Sequence, residues 1–148
     1  MNIKELGHVV LYVTNLEKVA NFYRDTLGFR EVGRTKFGVA VFSSGRTHHE
    51  LLLIEVGGEP QQNNAPKPGL YHIGFKVADS TDELKKVFRE LEEKGVTIIG
   101  TSDHTVTHSI YVLDPDGNEL ELYADVSDAW KENPSLVLSP TKSLKFTP

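Results

Sequence analysis

Apolar residues fall along this chain in two alternating rhythms: short unbroken runs, and runs spaced by three and four. The segment from Leu6 to Val13, LGHVVLYV, is rich in β-branched and aromatic residues and too short for a typical helix, which predicts a buried strand. Thr14-Asn15-Leu16-Glu17 follows, placing a Thr three residues before a Glu, so that the two side chains can satisfy free amides at a helix start. Leu16, Val19, Ala20, Tyr23 and Leu27 then share one helical face, and Gly28 supplies the stop. Three β-rich segments come next, FREVG, KFGVAVFSS and HHELLLIEV, separated by joints such as Gly33-Arg34-Thr35 and Ser44-Gly45-Arg46. The order is βαβββ.

The same order recurs after a stretch rich in proline and glycine, GGEPQQNNAPKPG, that reads as a linker over residues 57–69. LYHIGFKV predicts a strand, a helix is expected from about Ser80 to Lys94, and TIIGTSD, SIYVLD and NELELYA predict three further strands. Ser80-Thr81-Asp82-Glu83 repeats the capping arrangement, Leu84, Val87, Phe88 and Leu91 share a face, and Gly95 ends the helix. Local echoes support the repeat, since GHVVLYV resembles YHIGFKV. The expected organisation is therefore one domain over residues 1–148. Module one covers 4–56 and module two 70–125, each with an apolar face it cannot bury alone, so that the two pack together. The remainder, 126–148, has three prolines and no period and is expected to be an irregular strap docking through Trp130 and the run Leu136-Val137-Leu138.

Composition narrows the function classes. With 148 residues, 39% of them hydrophobic, the chain has the make-up of a single globular domain, neither disordered nor fibrous. Sixteen Lys and Arg against 21 Asp and Glu give a net charge of −5, so no nucleic acid partner is expected. The absence of cysteine removes disulfides, zinc-cysteine sites and thiol nucleophiles together. No apolar run is long enough for a membrane span, and the start MNIKELGHVV lacks a secretory leader's pattern, so a soluble, cytoplasmic protein is expected. No GxGxxG, P-loop or GxSxG occurs, and DPDGNE lacks the downstream spacing of an EF-hand and reads as a hairpin turn.

Chemistry enters through the histidines. His8 and His72 take equivalent places in the two repeats, each within a first strand otherwise apolar. One such histidine is most often a core residue satisfied by a carbonyl, but two at equivalent positions come near each other when the repeats pack side by side. Glu119, Glu121 and Tyr123 share one face of NELELYA and Leu120 and Leu122 the other. Exposed glutamates on an edge strand are the plain reading; on an interior face, a carboxylate there needs a cation or a proton. Two imidazoles and one carboxylate form the three-ligand set typical of non-haem Fe(II) oxygenases.

The paired βαβββ units, His8 in GHVVLYV, the segment LEKVANFYRDTLGF, YHIGFKV with His72 and DPDGNELEL with Glu121 resemble the vicinal oxygen chelate superfamily, which includes glyoxalase I, extradiol ring-cleaving dioxygenases and bleomycin-resistance proteins. The resemblance covers residues 4 to 125. It implies an α+β fold of two βαβββ modules forming a cup-shaped mixed sheet around a divalent metal held by His8, His72 and Glu121. Glyoxalase I carries a metal glutamate in both units, whereas laying HHELLLIE over GNELELYA puts Leu52 opposite Glu121, with Glu50 two residues away on the same face.

Single-domain extradiol dioxygenases are the members this chain resembles most. Their pattern of a His-His pair, a loop histidine and a tyrosine ten residues before the metal glutamate is similar to His48-His49, His104 and Tyr111, with His108 competing for the place of His104. The resemblance implies Fe(II), or Mn(II) in its place, a small catechol-like aromatic substrate and dioxygen. It also implies His49 as the acid-base residue and His104 and Tyr111 as hydrogen-bonding partners of the substrate oxygens. Strand parity instead puts His48 on the face of Glu50 and Leu52. Phe37, Val39 and Phe42 are expected in the wall that selects substrate. A glyoxalase-like lyase using another divalent ion and a further carboxylate, for which Glu50 is the candidate, or a metal-free binding cup, are the alternatives, and a homodimer is the expected assembly, its units pairing within one chain or swapping between chains.

Overall fold

Two βαβββ units appear in the computed structural model, which describes residues 1–61 and 66–146. Unit one comprises Met1–Asn63 with Pro115–Gly117, and unit two Asn64–Asp114 with Asn118–Pro148. Part of the expected linker, residues 62–65, lies outside the described residues. No helix among the described residues is long and apolar enough to cross a membrane.

In unit one, β1 (Val9–Val13) leads into α1 (Leu16–Asn21), followed by β2 (Glu31–Thr35), β3 (Val39–Phe42) and β4 (Leu51–Glu55). The sheet order is β1-β4-β3-β2, with β1 parallel to β4 and the remaining neighbours antiparallel. Leu16, Val19, Ala20 and Tyr23 are buried against the sheet, as their spacing predicts. Two local details differ from expectation. Asn15, rather than Thr14, caps α1, its side-chain oxygen accepting from Lys18 N at 2.8 Å, because Thr14 is engaged by Asp116 within the same unit (2.6 Å) and Glu17 turns outward to Arg34. The helix also loosens into a π-helical turn at Phe22–Thr26. Phe42 is completely buried beside Tyr23 and Phe29, with ring centroids 6.1 and 5.9 Å away, so it belongs to the core and not to a substrate-facing wall.

Unit two repeats the plan. It contains β5 (His72–Ala78), α2 (Thr81–Glu93), β6 (Ile98–Asp103), β7 (Thr107–Leu113) and β8 (Glu119–Asp125). A two-residue strand β9 (Lys142–Ser143) extends the order to β5-β8-β7-β6-β9, and β5 is again parallel to β8. Ile110, Val112, Leu120, Leu122 and Ala124 turn inward, with Leu84 and Leu91 of α2 also buried. Ser80 caps α2, accepting from Glu83 N at 3.2 Å, while the Glu83 carboxylate reaches back to Asp79 N at 2.8 Å, one residue earlier than a standard capping box. Ser80→Ala is expected to lower unfolding free energy by about 1 kcal/mol in a urea titration with an unchanged slope; no shift in midpoint would show that the cap is replaceable by solvent.

The tail is more regular and less buried than a docked strap. It forms 3-10 turns at Ala129–Lys131 and Pro134–Leu138, then β9. Trp130 stays 40% exposed and Val137 59%. What fastens the tail is polar and peripheral: β9 pairs with Ser102 and Asp103, the Leu144 carbonyl accepts from Thr101 Oγ1 at 2.7 Å, and Phe146 packs on Phe88.

Candidate metal centre and active site

The antiparallel pairing of β7 with β8 places Tyr111 directly opposite Glu121 and Ser109 opposite Tyr123, all on the face turned away from the buried leucines. The Glu121 carboxylate collects the polar groups of this face. Ser109 Oγ donates to Oε1 at 2.6 Å and the Tyr111 hydroxyl donates to the same oxygen at 3.2 Å. His104 Nε2 lies 2.7 Å from the Tyr111 oxygen, extending the chain outward. That ring is carried by a tight turn in which His104 N donates to Thr107 O and Thr105, in the left-handed region at φ 73°, donates its N–H to Asp103. Thr141 of the tail sits 3.3 Å from the other ring nitrogen.

Parallel pairing of β5 with β8 brings His72 to the level of Glu119 and Gly74 to that of Glu121. His72 Nε2 stands 3.2 Å from Glu121 Oε2, the carboxylate oxygen that Ser109 and Tyr111 leave open. A Cβ on Gly74 would come 3.7 Å from that oxygen and 3.6 Å from the Tyr123 ring, so glycine leaves the carboxylate uncovered. Burial, followed by the charge and hydrogen bond of Glu121, pushes the Tyr111 phenol well above the ordinary tyrosine range, which keeps it a neutral donor.

In unit one His8 lies just ahead of β1, and His48 and His49 lie in the irregular loop before β4, not inside strands. Strand parity therefore does not decide between the histidine pair. The His49 ring is 4.4 Å from that of His8 and 4.4 Å from that of His48, while His48 is 6.3 Å from His8. Desolvation first, then the neighbouring His8 and His48, lower the His49 pKa, favouring the neutral imidazole. Glu50, at the place in unit one that Glu119 holds in unit two, is already engaged. Its two oxygens accept from Ser44 N (2.7 Å) and Thr47 N (2.9 Å), and these backbone donors outweigh burial to hold the carboxyl below its usual range. Leu52 falls level with Val10 as Glu121 does with Gly74, so unit one has a leucine where unit two has the carboxylate.

Two expected site residues face elsewhere. His108 points to the helix side of its sheet, with Nδ1 2.9 Å from Thr81 Oγ1 and Nε2 3.7 Å from Asp103. Phe37 occupies the turn between β2 and β3 and is 91% exposed. The structure thus brings His72, His104, Tyr111 and Glu121 together within unit two, and His8, His48 and His49 within unit one. Ser109 was missed in the sequence, although its place two residues before Tyr111 puts it on the same face by parity.

The chemistry of the donors fits a divalent cation at His72 and Glu121. Neighbouring ligands roughly 2.1 Å from one ion and at right angles lie about 3 Å apart, close to the observed 3.2 Å. Among the described residues His72 Nδ1 is buried without a hydrogen-bond partner, 3.7 Å from Glu119. No group of three His, Cys, Asp or Glu side chains among the described residues is arranged to hold a metal ion.

A catechol-2,3-dioxygenase of Bacillus subtilis is 32% identical over 123 residues, spanning 81% of this chain, and the chain spans only 41% of that dioxygenase. The glutathione transferase FosA of Serratia marcescens is 30% identical over 122 residues, covering 82% of this chain and 81% of its own length. The fold is shared with the fosfomycin resistance protein FosX of Listeria monocytogenes, crystallised as a mutant with Mn(II) and a dihydroxypropylphosphonic acid, at a TM-score of 0.69 and 20% identity over 90% of this chain and 98% of that one. The Glyoxalase/Bleomycin resistance protein/Dioxygenase superfamily model matches residues 5–122, the span of both βαβββ units and of His72, Tyr111 and Glu121, and the chain belongs to that superfamily.

Proposed function

We propose that this protein is a non-haem Fe(II)-dependent extradiol dioxygenase opening the ring of a small catechol-like aromatic, with Mn(II) as the alternative metal. The observation that carries the reading is the hydrogen-bonded chain His104–Tyr111–Glu121 beside His72, four residues of one face with donors aimed at one carboxylate. His72 and Glu121 supply two ligands; His8, a residue of unit one, is proposed as the third on the family resemblance alone. A metal held there would supply the Lewis-acid and redox chemistry that binding a catechol and activating dioxygen require.

The protein's own groups handle the protons and the orientation. A catechol binding through both oxygens must give up a proton, and His49, held as the neutral imidazole, accepts it and later returns it. The neutral Tyr111 hydroxyl and the His104 ring hydrogen-bond the substrate oxygens and fix the ring plane. His48 lines the same approach. The working form is a cytoplasmic homodimer.

A second reading, metal-dependent chemistry on a non-aromatic substrate, draws on the match across most of the length of FosA. In its glyoxalase-like form it needs another carboxylate, and Glu50 is committed to the backbone of Ser44 and Thr47. Anaerobic reconstitution with Fe(II), metal analysis, and then catechol with air separate the two. A yellow ring-opened semialdehyde that depends on iron is the expected result. Stoichiometric metal without colour from catechol or its alkyl derivatives would move the assignment to the second reading, and a protein that takes up no metal would overturn both.

A further inference from the structure

Unit two carries an open cleft of about 220 Å³ that begins at Glu121 and runs toward the tail. Its floor is Glu121 and Tyr123, successive residues on one face of β8, and it is lined further by Val106, Trp130 and Val137, with one polar wall residue, Thr107, and Asp125. Trp130 and Val137 come from the two 3-10 turns of the tail, the segment whose apolar side chains the core leaves largely uncovered. The tail holds them at the cleft because β9 is hydrogen-bonded to β6 and Leu144 to Thr101.

We propose that this cleft is the specificity pocket of the site, receiving a neutral, compact apolar substituent on the aromatic ring, and that the tail is the element that selects it. The inference rests on the extradiol reading for the position of the ring at Glu121. Three observations fix the substituent. The volume is below the roughly 300–1,000 Å³ of pockets that enclose whole ligands, so it suits a branched alkyl group or a single ring. The apolar walls are valine and tryptophan, which reward removal of apolar surface from water. No Lys, Arg or His lines the cleft among the described residues, while two carboxylates do. Two ammonium groups border it: Lys76 is divided between Asp79 (2.7 Å) and Asp125 (3.1 Å), and Lys131, whose Nζ stands 5.8 Å from the Trp130 ring, is paired with Asp128 at 2.8 Å. A carboxylate substituent would find no cationic side chain among those lining the cleft to pair with it.

The test exploits Trp130, the one tryptophan of the sequence, whose emission reports directly on the wall of the cleft. Anaerobic titrations with 4-tert-butylcatechol and with 3,4-dihydroxybenzoate, on metal-free and Fe(II)-loaded protein, compare an apolar and an anionic group at the same ring position. A saturable change in Trp130 emission is expected for the former, with affinity about 10- to 100-fold higher than for the acid. Val137→Asp, at a position 59% exposed and therefore tolerant of a charge, is expected to erase that preference while secondary structure and metal content stay unchanged. A tryptophan that does not respond, or equal affinities for the two probes, would overturn the cleft assignment even if catechol is cleaved. A selective emission change without ring opening under any condition would uphold the cleft and sink the dioxygenase reading.

Discussion

His72→Ala is expected to strip nearly all metal from protein reconstituted with Fe(II) under anaerobic conditions, while its circular dichroism and unfolding midpoint stay close to those of the parent. The reasoning starts from position. The ring lies at the first residue of β5, half-buried, and among the described residues its Nδ1 has no hydrogen bond for the fold to lose. Backbone pairing with β8 holds the strand through the positions that follow, so the stability change is expected to be about 1 kcal/mol or less. The metal has no such redundancy. Removing one of the three proposed ligands would leave a pair, and Glu121 would keep its hydrogen bonds from Ser109 and Tyr111 but lose its neighbour at the open oxygen. Metal analysis by mass spectrometry decides the matter, and full occupancy in the variant would refute the ligand assignment.

His49→Ala is the complementary experiment, because it is expected to keep the metal and lose the reaction. General acid-base groups contribute about 10²- to 10⁴-fold to rate, and a fall of that size in kcat at unchanged iron content is the predicted result. The iron measurement matters because the His49 ring lies against His8, a proposed ligand, at 4.4 Å. A variant that lost iron and activity together would have a disturbed ligand, not a missing base. Turnover equal to the parent's would take the proton-transfer role from His49, and His48→Ala would then be the variant to examine.

Much of the second unit was legible because hairpins preserve sequence arithmetic. Residues the same distance either side of a turn end up opposite one another, so Tyr111 and Glu121, ten apart around Asp114–Asn118, meet across the sheet. Alternation in NELELYA correctly separated the buried Leu120 and Leu122 from Glu119 and Glu121. The same arithmetic failed wherever the backbone left its strand. His48 and His49 precede β4, so parity carried no information about them, and His8 and His72 stand at the beginnings of strands, not at their middles. His108 and Tyr111 have opposite parity on β7, and that alone sends His108 to the helix side. Engagement of the Thr14 hydroxyl by Asp116 moved the first cap from Thr14 to Asn15. The tail has no period to read, and the role of Trp130 emerges only once the turns and β9 set its direction.

The parallel union of first and last strands has a consequence for how the molecule is made. In each unit the earliest strand waits for the latest, Val9 for Leu51 and His72 for Glu119, so the closing contact spans nearly the whole module. Loop-closure entropy is spent before that contact repays it, which places folding among slower mixed topologies. On the ribosome, β1 emerges with neither edge paired, and the edge that β4 takes stays open until residues 51–55 have been synthesised. During that interval its exposed amides and carbonyls are a template for pairing with another nascent chain. Expression temperature, through its effect on the balance between synthesis and closure, is therefore expected to govern the yield of folded protein more than any single core substitution.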